Sequence, residues 1–250
     1  DLNGGGFWCS IGLGAEEKLQ LRRRLLERYG DWKICTDQSS FDTHQSIKWV
    51  KYVCERLFAS MVRANPHMHS VAREELSSLD RVFLEYQGTK LPWRNGVLSG
   101  YKFTALIDSI LNRAATRVVL DQMQHRIKFE VYQGDDATVA LFRPIDKAEV
   151  ASRYASLGLE VHAEKTWVTQ GNTEFLHEVY FENHVRAFPA RIFRAIAWKK
   201  PLSNLADGDF GASNAYSFIG VLRMAARRGL VIEPILRRFL KGMAVNFEDA

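Results

Sequence analysis

Cysteine is scarce in this sequence, and the little there is forms no pattern. Cys9, Cys35 and Cys54 include no CxxC pair and are odd in number. They read as buried or free thiols of a reducing compartment, not as a disulfide framework. Neither they nor the seven histidines show zinc-ligand spacing. No apolar run approaches the roughly 20 residues of a membrane-spanning helix, and no signal peptide is visible. The flexible Gly4-Gly5-Gly6 is not followed by a phosphate-loop pattern. No repeat, low-complexity segment or clear linker divides the chain. It does not begin with Met, and Asp1 reads as the start of a piece cut from something longer.

What is present is the composition of a folded protein. With 46% hydrophobic and 25% charged residues, the chain can build a core and is not a disordered tail. Its 250 residues suffice for one large domain or two small ones. The net charge of +5 and pI near 9.1 are compatible with a nucleic-acid partner without establishing one.

Punctuation and periodicity place the elements. Residues 16–29 read as a helix stopped by Gly30, with Arg22-Arg23-Arg24 as a solvated face. Residues 32–36 read as a short buried strand running into Asp37. Residues 46–64 read as a long helix ended by Asn65-Pro66. A hairpin is expected over 81–86 and 89–93 around Gln87-Gly88, then a long helix from about 103 to 122. Two strands, 128–133 and 137–142, flank Gly134-Asp135-Asp136. A helix over 146–157 is capped by Gly158, and strands follow at 159–163 and 175–181. From Pro189 on the pattern is mostly helical. The core order is strand, helix, helix, hairpin, helix, strand. That order predicts an α+β fold: a small antiparallel sheet backed by helices, related to the split βαβ arrangement.

An acidic turn alone is weak evidence, since Gly-Asp is common in hairpins. Here the flanking Val131-Tyr132 and 138–141 are apolar enough to bury the hairpin. A second acidic pair, Asp37 and Asp42, follows the apolar strand Ile34-Cys35-Thr36. Neighbouring strand ends can bring Asp37 and Asp135 together, and close carboxylates repel unless a cation lies between them. Hard oxygen ligands favour Mg²⁺ or Mn²⁺. Two such ions about 3.5–4 Å apart would stabilise both oxygens of an in-line phosphoryl transfer.

Five motifs in order then resemble a family. DQSSFD (37–42) is similar to polymerase motif A. LSGYKFTALIDSILN (98–112) is similar to motif B, YQGDDATVA (132–140) to motif C, LGLEVHAEKTWV (157–168) to motif D and TEFLHEVYF (173–181) to motif E. The set resembles the palm of viral RNA-dependent RNA polymerases, RRM-like at its core. The EFL string with Phe188 to Arg191 resembles toti-like double-stranded RNA viruses, and motif B resembles that of partitiviruses and picobirnaviruses.

The resemblance implies roles. Asp37 and Asp135 would be metal ligands, with Asp136 supporting the metal site or the primer end. Asp42 would sense the ribose 2′-hydroxyl, with Ser99, Gly100, Thr104 and Asp108 completing the nucleotide pocket. Lys165 would be the general acid toward pyrophosphate, and residues 174–180 the primer grip. Many positive-strand relatives carry Asn where this chain has Asp108, and a carboxylate there can accept but not donate. His177 replaces the arginine of the usual EFLR. His44, His162 and His177 read as structural or surface residues, and Trp93 as packing near the template.

The implied layout is partial fingers over 1–32, a palm over 33–181 with a finger-side insertion at 66–98, and a thumb-side helical segment over 182–250. The implied partners are RNA, NTPs and a viral capsid protein, with no membrane. The implied setting is the host cytoplasm, inside the viral particle. Two other functions compete. A reverse transcriptase shares the palm, but usually carries Ala or Met where Gly134 stands and an aromatic gate in motif A. A non-catalytic RNA-binding palm would have lost Asp37 or the Asp pair.

Overall fold

A computed structural model describes residues 8–36, 38, 41–161, 164 and 166–188, then 220, 222, 223, 225, 226, 230–234, 237 and 241. Asp37 and Lys165 lie outside the described residues, as does most of the region expected to be helical from Pro189 on. The chain divides into two compact units, Asp1–Leu176 and His177–Ala250.

The first unit opens with α1 (Ala15–Glu27), which buries Leu21 and Leu25, one helical turn apart. Arg28 to Gly30 turn the chain into β1 (Trp32–Thr36). Lys33 fastens that turn although it is only 1% exposed. Its ammonium donates to the carbonyls of Arg28, Tyr29 and Asp31 at 2.7, 2.8 and 2.9 Å. All three N–H groups are thereby used, which offsets the cost of burying the charge.

Next come α2 (Phe41–His44) and α3 (Ile47–Ala64), the latter one residue shorter at its start than the expected 46–64 because Ser46 is its N-cap. The chain does not loop out at Asn65-Pro66. The Asn65 side chain accepts from the His67 amide, one turn of 3₁₀ helix runs over Pro66–Met68, and α4 (His69–Leu79) follows. The sequence pattern sets no boundaries for α4.

The hairpin is β2 (Phe83–Tyr86) and β3 (Thr89–Pro92). Gln87 and Gly88 form its turn at φ 49° and 77°, the two left-handed positions of a type I′ turn. The long helix α5 spans Thr104–Gln122. Then β4 (Ile127–Gln133) and β5 (Asp136–Leu141) pair antiparallel, with Gln133 opposite Asp136. α6 (Lys147–Ser156) is N-capped by Asp146, whose carboxylate accepts from the amides of Ala148 and Glu149. Gly158, at φ 76°, follows its C-terminus.

Two expected strands are corrected. Residues 159–163 do not form a strand among the described positions. Val161 makes a single bridge to Gln38, because the free edge of β1 is occupied instead by β6 (Trp167–Thr169). The strand expected over 175–181 is interrupted. β7 covers Thr173–Phe175 and β8 covers Glu178–Tyr180. Between them Leu176 and His177 adopt φ 52° and 60°. Neither is the glycine or asparagine that normally marks a left-handed position.

The central sheet has the order β4-β5-β1-β6, all antiparallel. Residues 8–10 run parallel to the outer edge of β4, through Tyr132 N–H to Trp8 O and Ser10 N–H to Tyr132 O. Ile34, Tyr132, Ala137, Val139 and Leu141 share a core with α3, α5 and α6 residues including Val50, Phe58, Ile107, Val119 and Tyr154. Side chains alternate across a strand, so Cys35 and Thr138 face the other way. There the Cys35 thiol lies 3.1 Å from the Thr173 hydroxyl, and Thr138 donates to the carbonyl of Glu174. All three cysteines are free, as expected. No helix among the described residues is long and apolar enough to cross a membrane.

In the second unit β8 pairs antiparallel with β9 (Val185–Ala187), Tyr180 opposite Val185.

Candidate active site

The acidic hairpin has only two residues in its turn, Gly134 and Asp135; Asp136 already belongs to β5. Gly134 takes φ 63°. A left-handed glycine at the first turn position suits a two-residue hairpin of type II′. The result is a tight, rigid tip carrying Asp135.

That tip is held by α5. The hydroxyl of Ser109 accepts from Gly134 N–H at 2.8 Å and donates to the carbonyl of Ala105. The amide of Asn112 donates to the carbonyls of Gly134 and Asp135 at 3.0 and 2.7 Å. Gln38 donates to Asn112 Oδ1 at 2.8 Å, and Thr116 donates to the same oxygen at 3.3 Å. In the sequence, Gln38 lies inside motif A and Ser109 and Asn112 inside motif B with no role of their own, and Thr116 lies outside the motifs. A signal was available: Ala105, Ser109, Asn112 and Thr116 are spaced at i, i+4, i+7, i+11, one face of a helix. Polar residues on the face of a helix that packs on a sheet need partners.

Three carboxyls meet beside the tip. Asp108, on α5, is 3% exposed. Its pKa is pushed up to about 8, by burial first, then by the charge of Asp42 and a hydrogen bond to it, and by the charge of Asp135. At neutral pH Asp108 therefore holds a proton for a good part of the time. The expectation that it could only accept hydrogen bonds is revised: the protonated carboxyl can also donate. Its Oδ1 has no hydrogen-bond partner among the described residues.

Asp42 is positioned through its backbone. Its carbonyl accepts from Val97 N–H at 2.8 Å, and Gly96 N–H donates to the Gln45 carbonyl at 2.8 Å. Gly96 has φ 86°, and a Cβ built there would stand 3.0 Å from the carbonyl oxygen of Asp42. Trp93 is buried, and its indole N–H donates to the Gly96 carbonyl at 3.1 Å. The side chain expected near the template is thus a bracket for this loop.

Ser99 and Gly100 are exposed. Tyr101 N–H returns to the Leu98 carbonyl, and Gly100 has φ 84°. A type II turn needs a left-handed residue at its third position, and glycine meets that need. The hydroxyl of Thr104 lies 2.6 Å from the Leu98 carbonyl and 2.7 Å from that of Tyr101. Its one proton is thus given to the loop, so Thr104 shapes the turn that carries Ser99. Glu75 on α4 accepts from Tyr101 and Lys102, tying the same loop to the segment before it.

On the β4 side, Glu130 is nearly buried. Burial works to raise its pKa, but hydrogen bonds from Arg117 and Arg113 outweigh that and hold it below the usual range. These pairs lock α5 to β4 behind the tip.

The sequence profile described as viral RNA-directed RNA-polymerase matches residues 25–201. The chain belongs to that family. This stretch includes the acidic tip, the α5 helix and the Asp42 loop. The chain is 26% identical over 184 residues to a probable RNA-directed RNA polymerase of Giardia lamblia virus (isolate Wang), covering 69% of this chain and 10% of that protein. Its fold matches the crystal structure of the RNA-dependent RNA polymerase of a human picorbirnavirus, with a TM-score of 0.63 at 18% identity, over 80% of this chain and 41% of that one. An insertion-loop deletion mutant of that enzyme matches with a TM-score of 0.58 at 19% identity, over 71% and 37%. The chain therefore spans about a tenth of the curated relative and about two fifths of the solved ones. The expected architecture, helices backing a small antiparallel sheet in a polymerase palm, stands.

Proposed function

We propose that this chain carries the catalytic palm for RNA-templated RNA synthesis in a double-stranded RNA virus lineage, joining an NTP to an RNA 3′-hydroxyl and releasing pyrophosphate. The observation that carries the reading is the tight acidic hairpin tip bearing Asp135, held by Ser109 and Asn112 of α5 with Asp108 buried on the same helix, in a chain of this family. The Giardia lamblia virus relative supports the lineage.

The donor set fits hard divalent cations. The Asp42, Asp108 and Asp135 carboxyls influence one another and Asp108 Oδ1 is buried with no partner among the described residues, while the described residues, which do not include Asp37, form by themselves no group of three ligands for an ion. Asp37 and Asp135, with Asp136, would hold two Mg²⁺ or Mn²⁺ ions. Bound there, the ions would activate the 3′-hydroxyl and neutralise the triphosphate.

The chain's own groups do the rest. Asp42 and Asp108 offer an acceptor and, when Asp108 is protonated, a donor to a ribose 2′-hydroxyl. A deoxyribose would leave them unpaired, which is the strong form of discrimination. Ser99 and Gly100, on the turn shaped by Thr104, line the sugar side of the nucleotide. Lys165 gives a proton to the departing pyrophosphate. Residues 174–180 grip the primer end. This chemistry belongs inside a capsid in the host cytoplasm, with capsid protein as a partner.

Primer extension by the full-length polymerase tests the reading. The parent should incorporate NTPs in strong preference to dNTPs, and Asp135→Asn should lower incorporation by about a thousandfold or more. Wild-type activity in Asp135→Asn, or a preference for dNTPs, would overturn it.

A further inference from the structure

We infer that Asn112 is a positioning residue that ties the segment after Asp37 to the backbone of the Asp135 tip, with Gln38 as its second member. The inference rests on the polymerase reading above and deepens it.

Asn112 is fully buried and uses its whole hydrogen-bonding capacity. Its two N–H groups go to the carbonyls of Gly134 and Asp135. Its oxygen accepts from Gln38 Nε2 and from the Thr116 hydroxyl. A side-chain amide has two donors and two lone pairs and no more. The network also fixes which way the amide points. A reversed amide would set its oxygen against two carbonyl oxygens and its nitrogen against a donor.

No other residue of similar size fills this place. Aspartate has the acceptors but no donors, and leucine has neither. The arrangement spans three motifs: Gln38 directly follows Asp37, Asn112 lies on α5, and the two carbonyls belong to the tip. Gln38 is 3% exposed, and its backbone bridges to Val161. With the Ser109 contact to Gly134 N–H, three backbone groups of the two turn residues are bound to one helix. The Asp135 side chain then has little freedom except about its own bonds. Displacing a reacting group by about 1 Å can cost a hundredfold in rate, so the effect belongs in kcat, not in nucleotide affinity.

The test compares the full-length polymerase with Asn112→Asp, Gln38→Met and, as a control for core damage, Val119→Ala. Val119 is buried on the same helix and touches none of these groups through hydrogen bonds. Asn112→Asp should lower kcat about tenfold to a hundredfold with the NTP KM within about threefold. Gln38→Met, which removes one bond of the four, should give a smaller fall of the same kind. Val119→Ala, at a comparable loss of Tm, should keep kcat within about twofold. Hydrogen exchange at residues 133–136 should quicken in Asn112→Asp and stay slow in Val119→Ala.

Wild-type kcat in both Asn112→Asp and Gln38→Met would overturn the inference, as would an equal kcat loss in Val119→Ala. If Asn112→Asp does not fold, Gln38→Met decides. If the parent itself makes no RNA, the polymerase reading fails, and exchange alone judges Asn112: unchanged protection of the tip in its variant overturns the positioning role.

Discussion

Asp108 shows how much a single side chain's chemistry depends on its neighbours. Free in water its carboxyl would ionise near pH 4. Burial and the charges of Asp42 and Asp135 push it up to about 8. The folded state therefore prefers the protonated form. Its contribution to stability is complete below about pH 4 and is lost as pH rises toward about 8. Asparagine at this position mimics the protonated carboxyl and can still donate to Asp42. The Tm of Asp108→Asn minus that of the parent should therefore be small at pH 5 and grow to several degrees by pH 8.5. Thermal melts across that range check it, and a constant difference would count against the raised pKa. Glu130 does not confuse the result, because its pKa is held low and it loses stability only as pH falls below the usual carboxylate range. Position 108 was legible in the sequence as a polar residue in a motif. Its charge state was not, since that is set by Asp42, which is 66 residues away in the chain.

At the scale of elements, the loop before α5 carries more of the site than its sequence suggests. Trp93 to Val97 reach over to α2 and hold the Asp42 carbonyl. Gly96 makes that approach possible twice over, by its φ of 86° and by lacking a Cβ, which would stand only 3.0 Å from the Asp42 carbonyl oxygen. Gly96→Ala should cost about 1–3 kcal/mol and move Asp42, so Tm should fall and NTP discrimination against dNTP should weaken together. A variant with parental Tm and parental discrimination would show that the close contact is dispensable. The helix α5 and the strands β1, β4 and β5 were readable from periodicity and punctuation, because they have strong apolar patterns and clear ends. The break at Leu176-His177 was not, because it is imposed on residues that carry no turn signature. The failed strand at 159–163 was unreadable for a related reason. Its apolar residues alternate like a strand, but β6 takes the edge of β1 that such a strand would need.

At the scale of the molecule, the proposed function would set RNA phosphates against the net charge of +5. RNA binding should weaken as salt rises, with log affinity falling linearly against log salt concentration. Binding measured by fluorescence anisotropy from about 50 to 200 mM salt checks this. A flat profile would mean that stacking or base contacts, not phosphates, carry the affinity.

The sequence alone determined the family and the α+β architecture. Five motifs in fixed order constrain a chain far more than any one of them, and hydrophobic periodicity is a local property. It also determined which residue types could do the chemistry. Only the tertiary structure decided how the acidic tip is held. Asn112 and Ser109 matter through hydrogen bonds to backbone groups 22 to 25 residues away, and Gln38 through one to the Asn112 side chain 74 residues away. No local pattern encodes those partners, because a side-chain amide acquires its meaning from whichever donors and acceptors the fold brings to it.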